Sequence, residues 1–546
     1  MRFCSLEIME PNWKKLGIAT ACCAGASVLL VKLLTAKWVQ KKIQRAKLRS
    51  VASLQMAENS VLQFREKCPG VDADTILSLS LAELTKKLKE GPLSPDMVLH
   101  TYMGKALEVN RKLNCATEFL LESRDQLDEV EAHREGLLYG VPVSIKENLG
   151  YKGHDSSCGV VCKLEQPADA DSVVVQVLKK QGAIPFVKTN VPQGLLNYDC
   201  SNPIFGQTLN PHNLQKTSGG SSGGEGALIG GGGSILGIGT DIGGSIRIPA
   251  AFCGICGFKP TANRLSSCCR GQKSVLSSLG PLARSVNDLA LCMKALLCED
   301  MFSLDPTVPP LPFNEQEYLS SKPLRIGYYE NEGYQLPSPS MRRALREVKD
   351  LLERAGHTLV PFTPPRISYV MHELLIRGVL ADRGETLLRN LKEGPTDPCL
   401  RSQTIIYNEY CFEFISEWRK KDLDVLLSPM LGPAFNFRYC GKLTCALNFT
   451  MIYNLLNLPA GVVPVSTVTD ADEEELKHYK GNFGDLWDRV FKKSTAVTEQ
   501  CWHLQAVSGA QGLPVAVQCI SLPWRDELCL RFMREVEQLV RDHRNK

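Results

Sequence analysis

The chain reads Thr217-Ser-Gly-Gly-Ser-Ser-Gly-Gly-Glu225 and, after a short interval, Gly239-Thr-Asp-Ile-Gly-Gly-Ser245-Ile-Arg-Ile-Pro249. Both stretches are rich in glycine, which allows positive φ and a close approach of the backbone to a ligand. Each holds a serine, Ser221 or Ser245, among backbone N–H groups that can converge on an anion. The two stretches therefore predict a site built from two hydroxyls and backbone amides.

A lysine precedes this region at the end of an apolar segment, Tyr139-Gly-Val-Pro-Val-Ser-Ile-Lys146. A reactive hydroxyl, a second hydroxyl that relays its proton and an amine that receives it form a base-assisted nucleophile without histidine. The amine can act as a base only when it is uncharged, a state favoured by burial or by a cationic neighbour. The segment predicts a buried strand that ends at Lys146.

The turn before the second serine supplies successive backbone amides, from Ile242, Gly243, Gly244 and Ser245. Such donors stabilise a carbonyl oxygen that becomes negative, and losing one typically costs ~2.7–4 kcal/mol. We therefore expect these four residues to contact the reacting group. Asp241 and Arg247 flank the turn and are expected to brace it. The glycine cluster 230–233 lies between the two serines, so we interpret it as close backbone packing and not as a flexible linker.

Other motifs with glycine, serine or cysteine are not matched. The chain has no G-x-x-x-x-G-K-[ST] nucleotide loop and no G-x-S-x-G elbow around Ser245. Cys253-Gly-Ile-Cys256 with Cys268-Cys269 could be drawn as a zinc site, but the second pair is adjacent. Buried apolar cysteines are the preferred interpretation, and no metal or other cofactor is predicted. Ordinary glycine–serine loops remain the alternative for each piece taken alone.

The serine, glycine and lysine pattern resembles the amidase signature family, whose members hydrolyse amides with a Ser-cis-Ser-Lys triad. The resemblance implies that Ser245 is the nucleophile, Ser221 the bridging serine and Lys146 the base. It also implies an α/β fold in which helices cover both faces of a large twisted mixed sheet. Short apolar strands that alternate with helices from Gly136 onward independently predict a layered α/β fold.

Several elements are predicted by periodicity. A helix should begin after Ser94, which can cap it, with Pro95 in the first position. Strands are predicted over 141–145, 183–188, 324–329, 423–427 and 460–464, and helices over 171–181, 341–355 and 526–540.

Composition limits the partners and the compartment. A net charge of +4 over 546 residues gives no reason to expect nucleic-acid binding. The 21 cysteines are odd in number and irregularly spaced, which fits reduced thiols in a cytosolic compartment better than a disulfide scaffold.

The amino terminus predicts a membrane anchor. Leu16–Leu34 is apolar except for Lys32, close to the ~20 residues that cross a bilayer, and a basic flank follows it. A cleaved signal peptide or a buried helix is the alternative. We divide the chain into an anchor (1–36), a basic helical tether (37–65) and a catalytic domain (66–546). Cytoplasmic placement of that domain would leave the Asn448-Phe-Thr450 sequon unglycosylated.

Further stretches resemble the fatty acid amide hydrolases of this family. The resemblance implies a lipid amide as substrate, Leu195 in the acyl channel, and Ser221 with the Ile242–Ser245 loop in contact with the reacting group. It also implies attachment to an endoplasmic reticulum or Golgi-type membrane, and it leaves the choice between monomer and homodimer open. The matching stretches are Tyr151–Asp155, Val191–Gln193, Asp199–Pro203, Asp305–Pro312 and Leu528–Glu537.

Two departures from these relatives support a rival function. In these relatives an apolar helical cap that dips into the membrane follows the equivalent of Asp397-Pro-Cys-Leu400. In this chain residues 401–418 follow almost directly, so the cap is predicted to be missing. Compared with the same relatives, the segment Ser494–Gln511 is predicted to be an insertion before the strand that starts near Gly512. The rival is a catalytically impaired lipid-binding protein that keeps the fold. An amidase that acts on a soluble substrate such as glutaminyl-tRNA is a further alternative. The predicted membrane anchor and the lack of an obvious tRNA-binding addition argue against it.

Overall fold

The computed structural model describes residues 13–267, 275–334, 336–370, 385–392, 394, 395, 397, 412–440, 447–478 and 506–545. Side chains of residues 13–24 and of several residues between 368 and 413 lie outside this description. The helices are α1 Trp13–Lys67, α2 Ala73–Ser78, α3 Leu81–Glu90, α4 Pro95–Leu113, α5 Gln126–Val130, α6 Val173–Lys180, α7 Gly223–Gly230, α8 Arg247–Cys253, α9 Val286–Leu296, α10 Glu299–Leu304, α11 Glu315–Leu319, α12 Pro339–Arg354, α13 Ile367–Tyr369, α14 Glu385–Lys392, α15 Phe412–Lys420, α16 Asn448–Leu455, α17 Asp470–Leu476 and α18 Asp526–Arg544.

A large mixed sheet forms the centre of the molecule. Its order is β1-β3-β2-β6-β8-β7-β12-β13-β11-β9-β10, with parallel and antiparallel neighbours, and β4 pairs separately with β5. The strands are β1 Ala116–Phe119, β2 Pro142–Lys146, β3 Ile184–Thr189, β4 Ser201–Asn202, β5 Gly206–Gln207, β6 Leu236–Asp241, β7 Cys256–Lys259, β8 Ser278–Ala283, β9 Arg325–Tyr328, β10 Thr358–Pro361, β11 Val425–Pro429, β12 Ala460–Thr467 and β13 Pro514–Ser521.

The predicted α/β class and large mixed sheet are confirmed. Every strand and helix predicted from periodicity is present, with ends that shift by a few residues. The Ser94 side chain accepts a hydrogen bond from the Met97 amide, and Pro95 is the first residue of α4, as expected. Apolar strands such as β2 are buried along their whole length, because the sheet lies inside the molecule.

The first helix, α1, is continuous from Trp13 to Lys67, so the predicted boundary at residue 36 lies within it. Its described apolar residues from Val28 to Leu34 are more than half exposed, whereas Val39, Ile43 and Ala46 pack against the body. Within the described part of the chain, no helix meets the length and apolarity needed to cross a membrane. The division into anchor, tether and catalytic domain stays a prediction.

Ion pairs join this helix to the body, and one of them links Glu58 to Arg111 of α4 at 2.6 Å. Arg45 donates to Glu165 and Arg49 donates to Asp155, each with an N···O distance of 2.5 Å. The tether is therefore docked along the surface and does not project from it. The segments 398–411 and 479–505, which contain the missing-cap position and most of the predicted insertion, lie outside the described residues.

Candidate active site

Two adjacent parallel strands bring the candidate residues to one edge of the sheet. Strand β2 pairs with β6 in the register Ser144↔Gly237, and β2 ends at Lys146 while β6 ends at Asp241. Because parallel strands end at the same edge, the lysine lies beside the turn that leads to Ser245. The strand-to-helix connections on this edge form the site.

Lys146 is fully buried and hydrogen-bonded to hydroxyl and carbonyl oxygens. Its Nζ donates to Ser221 Oγ at 2.8 Å, to Thr240 Oγ1 at 2.8 Å and to the Thr240 carbonyl at 3.2 Å. These three acceptors are all uncharged. The peptide bond between Gly220 and Ser221 is cis. The structure thus brings together the lysine and the first of the two predicted serines.

The second serine is joined to the first through the backbone. The amide of Ser222 donates to the carbonyl of Ser245 at 3.0 Å. Ser245 is partly exposed, whereas Ser221 is only 2% exposed. Ser245 is therefore the more accessible of the two serines, while Ser221 and Lys146 are buried.

A buried ion pair braces the turn that carries Ser245, as the sequence predicted. Arg247 donates through Nε and Nη2 to the two carboxylate oxygens of Asp241, at 3.1 and 3.0 Å. The same carboxylate accepts from the amides of Gly244 and Ile246 at 2.8 and 3.0 Å. Burial alone would raise the pKa of Asp241, but the Arg247 guanidinium outweighs it and holds that pKa well below its usual range. Asp241 is thus a fixed anion that organises the backbone of the turn.

Three of the four predicted amide donors have no acceptor among the described residues. The Gly244 amide is occupied by Asp241, but no described residue accepts from the amides of Ile242, Gly243 or Ser245. Gly244 has φ +120°, and a Cβ there would lie 2.5 Å from Thr450 Oγ1, so only glycine fits.

The remaining predicted residue, Leu195, lies in the 3-10 turn Gln193–Leu195 and is partly exposed. The chain just after it packs on the serine loop, because a Cβ on Gly220 would lie 2.7 Å from the Asn197 carbonyl oxygen. Leu195 is thus joined to the site through its own loop. A role in the acyl channel stays a prediction.

Between the two serines, three of the four glycines of the cluster are closely packed, as expected, whereas a Cβ on Gly232 would meet only Lys105 Cε at 3.8 Å. A Cβ would lie 2.8 Å from the Cys253 carbonyl oxygen at Gly230, and 2.7 Å from Val109 Cγ1 at Gly231. At Gly233 the nearest atom, Leu228 Cδ1, is 2.5 Å away. Larger side chains here would separate α7 from its neighbours.

Sequence reasoning missed four polar residues around the site. Thr240 contacts Lys146. Asn454 donates to Asp241 Oδ1 and accepts from Arg247, while Gln518 accepts from Arg247. Thr450 contacts the turn itself. The guanidinium of an arginine has five N–H donors, so a buried Arg247 needs more hydrogen-bond acceptors than Asp241 alone provides. The sequence around Arg247 does not show which residues provide them.

The candidate zinc cysteines behave as packed thiols where they are described. Cys253 donates to the Ser218 carbonyl oxygen and Cys256 lies 3.7 Å from Glu537 Oε1. Burial raises the pKa of both thiols well above the usual value. Cys268 and Cys269 lie outside the described residues. Among those that are described, no group of three or more His, Cys, Asp or Glu could hold a metal ion.

Comparisons with known proteins agree with this geometry. The family model described as amidase matches residues 97–421 and 403–530. Fatty-acid amide hydrolase 1 of Sus scrofa is 48% identical over 96% of this chain and 96% of that protein. Vitamin D3 hydroxylase-associated protein of Gallus gallus is 53% identical over 78% of this chain and 92% of that protein. A solved structure of fatty acid amide hydrolase matches with a TM-score of 0.77 at 25% identity, covering 92% of this chain and 95% of that one.

The fold and the comparisons define a hydrolase of amide bonds, and the chain belongs to the amidase signature family. Within that family it is an amidase similar to the fatty acid amide hydrolases, so the resemblance seen in the sequence is confirmed.

Proposed function

We propose that this amidase hydrolyses fatty acid amides. Its substrates would be N-acylethanolamines such as anandamide and primary amides such as oleamide. The products are a free fatty acid and ethanolamine or ammonia. The similarity to fatty-acid amide hydrolase 1 of Sus scrofa over nearly the whole chain supports this substrate class.

An apolar surface beside the turn also supports a fatty acyl group. Ile242 and Met451 pack against a buried cluster of aromatic and aliphatic side chains. Met451 Cγ lies 3.0 Å from the position that a Cβ on Gly243 would take. Such a wall favours an apolar chain, because burial gains about 25 cal/mol per Å² of apolar surface. Leu195 is proposed to line the same channel. The cluster includes Tyr329, Tyr334, Phe362, Phe414, Trp418 and Ile452.

In the proposed reaction, Ser245 Oγ attacks the amide carbonyl carbon. Its proton passes to Ser221, and the Ser221 proton passes to uncharged Lys146, whose Nζ lies 2.8 Å from Ser221 Oγ. The carbonyl oxygen becomes negative as the carbon turns tetrahedral. The amides of Ile242, Gly243 and Ser245 are proposed to stabilise this oxygen.

The proton then returns to the leaving nitrogen through the same hydroxyl, the carbon–nitrogen bond breaks and the amine or ammonia departs. The acyl group is left as an ester on Ser245. Water attacks this ester, giving its proton to the relay, and the Ser245 oxygen takes a proton back as the fatty acid leaves. The 2.8 Å contact between Lys146 Nζ and Ser221 Oγ is the observation that carries this mechanism.

The test is turnover of oleamide by the detergent-solubilised full chain, measured for wild type and Ser245→Ala. We expect no detectable turnover from the variant with unchanged folding, because only the attacking oxygen is removed. Ser266→Ala is the matched control, since this buried hydroxyl donates to Asp305 and has no proposed role in the reaction. Retention by Ser245→Ala of roughly a tenth of the activity would refute the assignment.

A fluorophosphonate probe distinguishes the proposed enzyme from the rival lipid-binding protein. A working nucleophile attacks the probe and becomes covalently labelled, and Ser245→Ala should abolish that labelling. A wild-type chain that binds fatty acid amides but takes no label would support the rival.

Attachment to a membrane of the endoplasmic reticulum or Golgi type, with the catalytic region in the cytoplasm, is part of the proposal. It is supported by the exposed apolar side chains of α1, namely Val28, Leu29, Leu30, Val31, Leu33 and Leu34. Contiguous exposed apolar surface of this kind marks an interaction site for lipid or protein.

A further inference from the structure

We infer that Thr450 is a positioning residue that holds the oxyanion-binding turn of Ile242–Ser245 in its productive orientation. The inference rests on the proposed function, because it concerns how the same turn would stabilise an oxyanion. Thr450 is fully buried in α16 and packs directly against this turn.

The peptide unit between Gly243 and Gly244 is fixed at both of its polar atoms. The Thr450 hydroxyl donates to the Gly243 carbonyl oxygen at 2.6 Å, and the Gly244 amide donates to Asp241 at 2.8 Å. The same hydroxyl also lies 3.2 Å from the Leu447 carbonyl oxygen, so its contact with the turn is the shorter of the two. Both bonds lie within the normal range of hydrogen-bond lengths.

This fixation matters because the unit is flanked by two glycines. Glycine rotates freely through positive and negative φ, so a peptide between two glycines can turn over at little cost. Rotation here would redirect the neighbouring amides of Gly243 and Ser245. Donors of this kind accelerate a reaction only when they are already aimed at the developing charge.

The same helix also holds the ion pair behind the turn. Asn454, one helical turn after Thr450, contacts Asp241 and Arg247, and the Thr450 carbonyl accepts from Arg247 Nη1 at 3.0 Å. The backbone of α16 is thus anchored whether or not residue 450 carries a hydroxyl. Removing only that hydroxyl should free the peptide and leave the helix in place.

The experiment compares Thr450→Val, which keeps the shape without the hydroxyl, with Thr450→Ser, which keeps the hydroxyl. For oleamide hydrolysis we expect Thr450→Val to lower kcat about 10- to 100-fold and to change KM less than about threefold. Thr450→Ser should stay within about threefold of wild type. Thr117→Val is the matched control, because Thr117 lies on the outer strand β1 and its buried hydroxyl donates to the Lys188 carbonyl of β3.

A second measurement separates positioning from general damage. A trifluoromethyl ketone of a C18 acid forms a tetrahedral adduct with the serine and so imitates the oxyanion. Its affinity should fall in Thr450→Val by the same factor as kcat/KM, while oleamide binding, measured in the Ser245→Ala background, changes less than about threefold.

Several results would overturn the inference. They are an unchanged kcat in Thr450→Val, an equal loss in Thr450→Ser, or a loss confined to KM. If Thr450→Val does not fold, Thr450→Ala takes its place with the same expected pattern. Turnover that survives in Ser245→Ala would instead refute the proposed function, so the two failures are distinguishable.

Discussion

Glu225 provides a test of the buried polar network beneath the triad through the pH dependence of stability. This residue lies in α7, one turn after Ser221, and is fully buried. Its carboxyl group accepts from Ser144 Oγ at 2.6 Å and from Thr189 Oγ1 at 2.7 Å. Burial raises the pKa of Glu225 to about 7, because the hydrogen bonds from these two hydroxyls offset the loss of water only in part.

The sign of the effect follows from where the proton is held. The ordinary pKa of a glutamate is 4.5, so between pH 4.5 and about 7 the folded Glu225 keeps a proton that the unfolded chain releases. Stability from this group is therefore complete below pH 4.5 and is lost as pH rises toward 7. The loss reaches about 3 kcal/mol, since each pKa unit corresponds to about 1.36 kcal/mol.

The variant Glu225→Gln has the same shape and no titrating proton. We expect the unfolding free energy of the variant, relative to wild type, to increase by about 3 kcal/mol across this pH range and then to level off. Urea denaturation at intervals between about pH 4 and pH 8 gives this difference, in which the titration of other groups cancels.

Asp72→Asn is a control of opposite sign. Hydrogen bonds from the Thr75 hydroxyl and amide lower the pKa of Asp72 at the start of α2, so wild type gains stability over the Asn variant as pH rises. A Glu225→Gln difference that does not depend on pH would refute the reasoning, because Glu225 would then hold no extra proton in the folded state.

Three further predictions concern the triad, the ion pair and the anchor. Lys146→Ala should slow amide cleavage more than ester cleavage, because amides need a proton on the leaving nitrogen; an unchanged amide-to-ester rate ratio across pH would leave Lys146 a structural residue. Arg247→Met should lower the unfolding free energy by about 3–5 kcal/mol, because Asp241 stays buried without its partner; a loss below about 1 kcal/mol in urea denaturation would contradict this. Deleting residues 1–36 should leave the protein active and largely soluble in salt-washed fractionation, whereas a truncated chain that stays membrane-bound and monodisperse in detergent would reveal a second apolar surface.

Much of the site could be predicted because its residues follow one another along the chain. Gly219–Ser222 and Asp241–Arg247 are local turns. Their glycines indicate a close approach of the backbone, their serines indicate reacting hydroxyls, and their two charged residues indicate an ion pair across the turn. Lys146 was predictable for a similar reason, since an apolar strand that ends in a lysine places that lysine at a sheet edge. The brace between Asp241 and Arg247 followed from their proximity in sequence.

The partners on α16 were not predictable in the same way. Thr450 and Asn454 lie about 200 positions after the turn that they contact, with sequence separations of 207 and 213. Their i,i+4 spacing places both on one face of a helix, but only the tertiary packing decides what that face meets. Asn448 illustrates the same limit: it belongs to a sequon, yet in the folded chain it is 1% exposed and donates to Glu332.

The charged pair and the hydroxyl groups of the site have different structural roles. Asp241 and Arg247 form a pair with no net charge behind the turn, and their hydrogen bonds fix the backbone that faces the substrate. Lys146 instead donates to the uncharged oxygens of Ser221 and Thr240, which fits the proposed passage of a proton along hydroxyls. Changes in the pair should therefore slow amides and esters alike, because both need the same oxyanion geometry. Changes at Lys146 should separate them, because only the amide depends on a proton delivered to a poor leaving group.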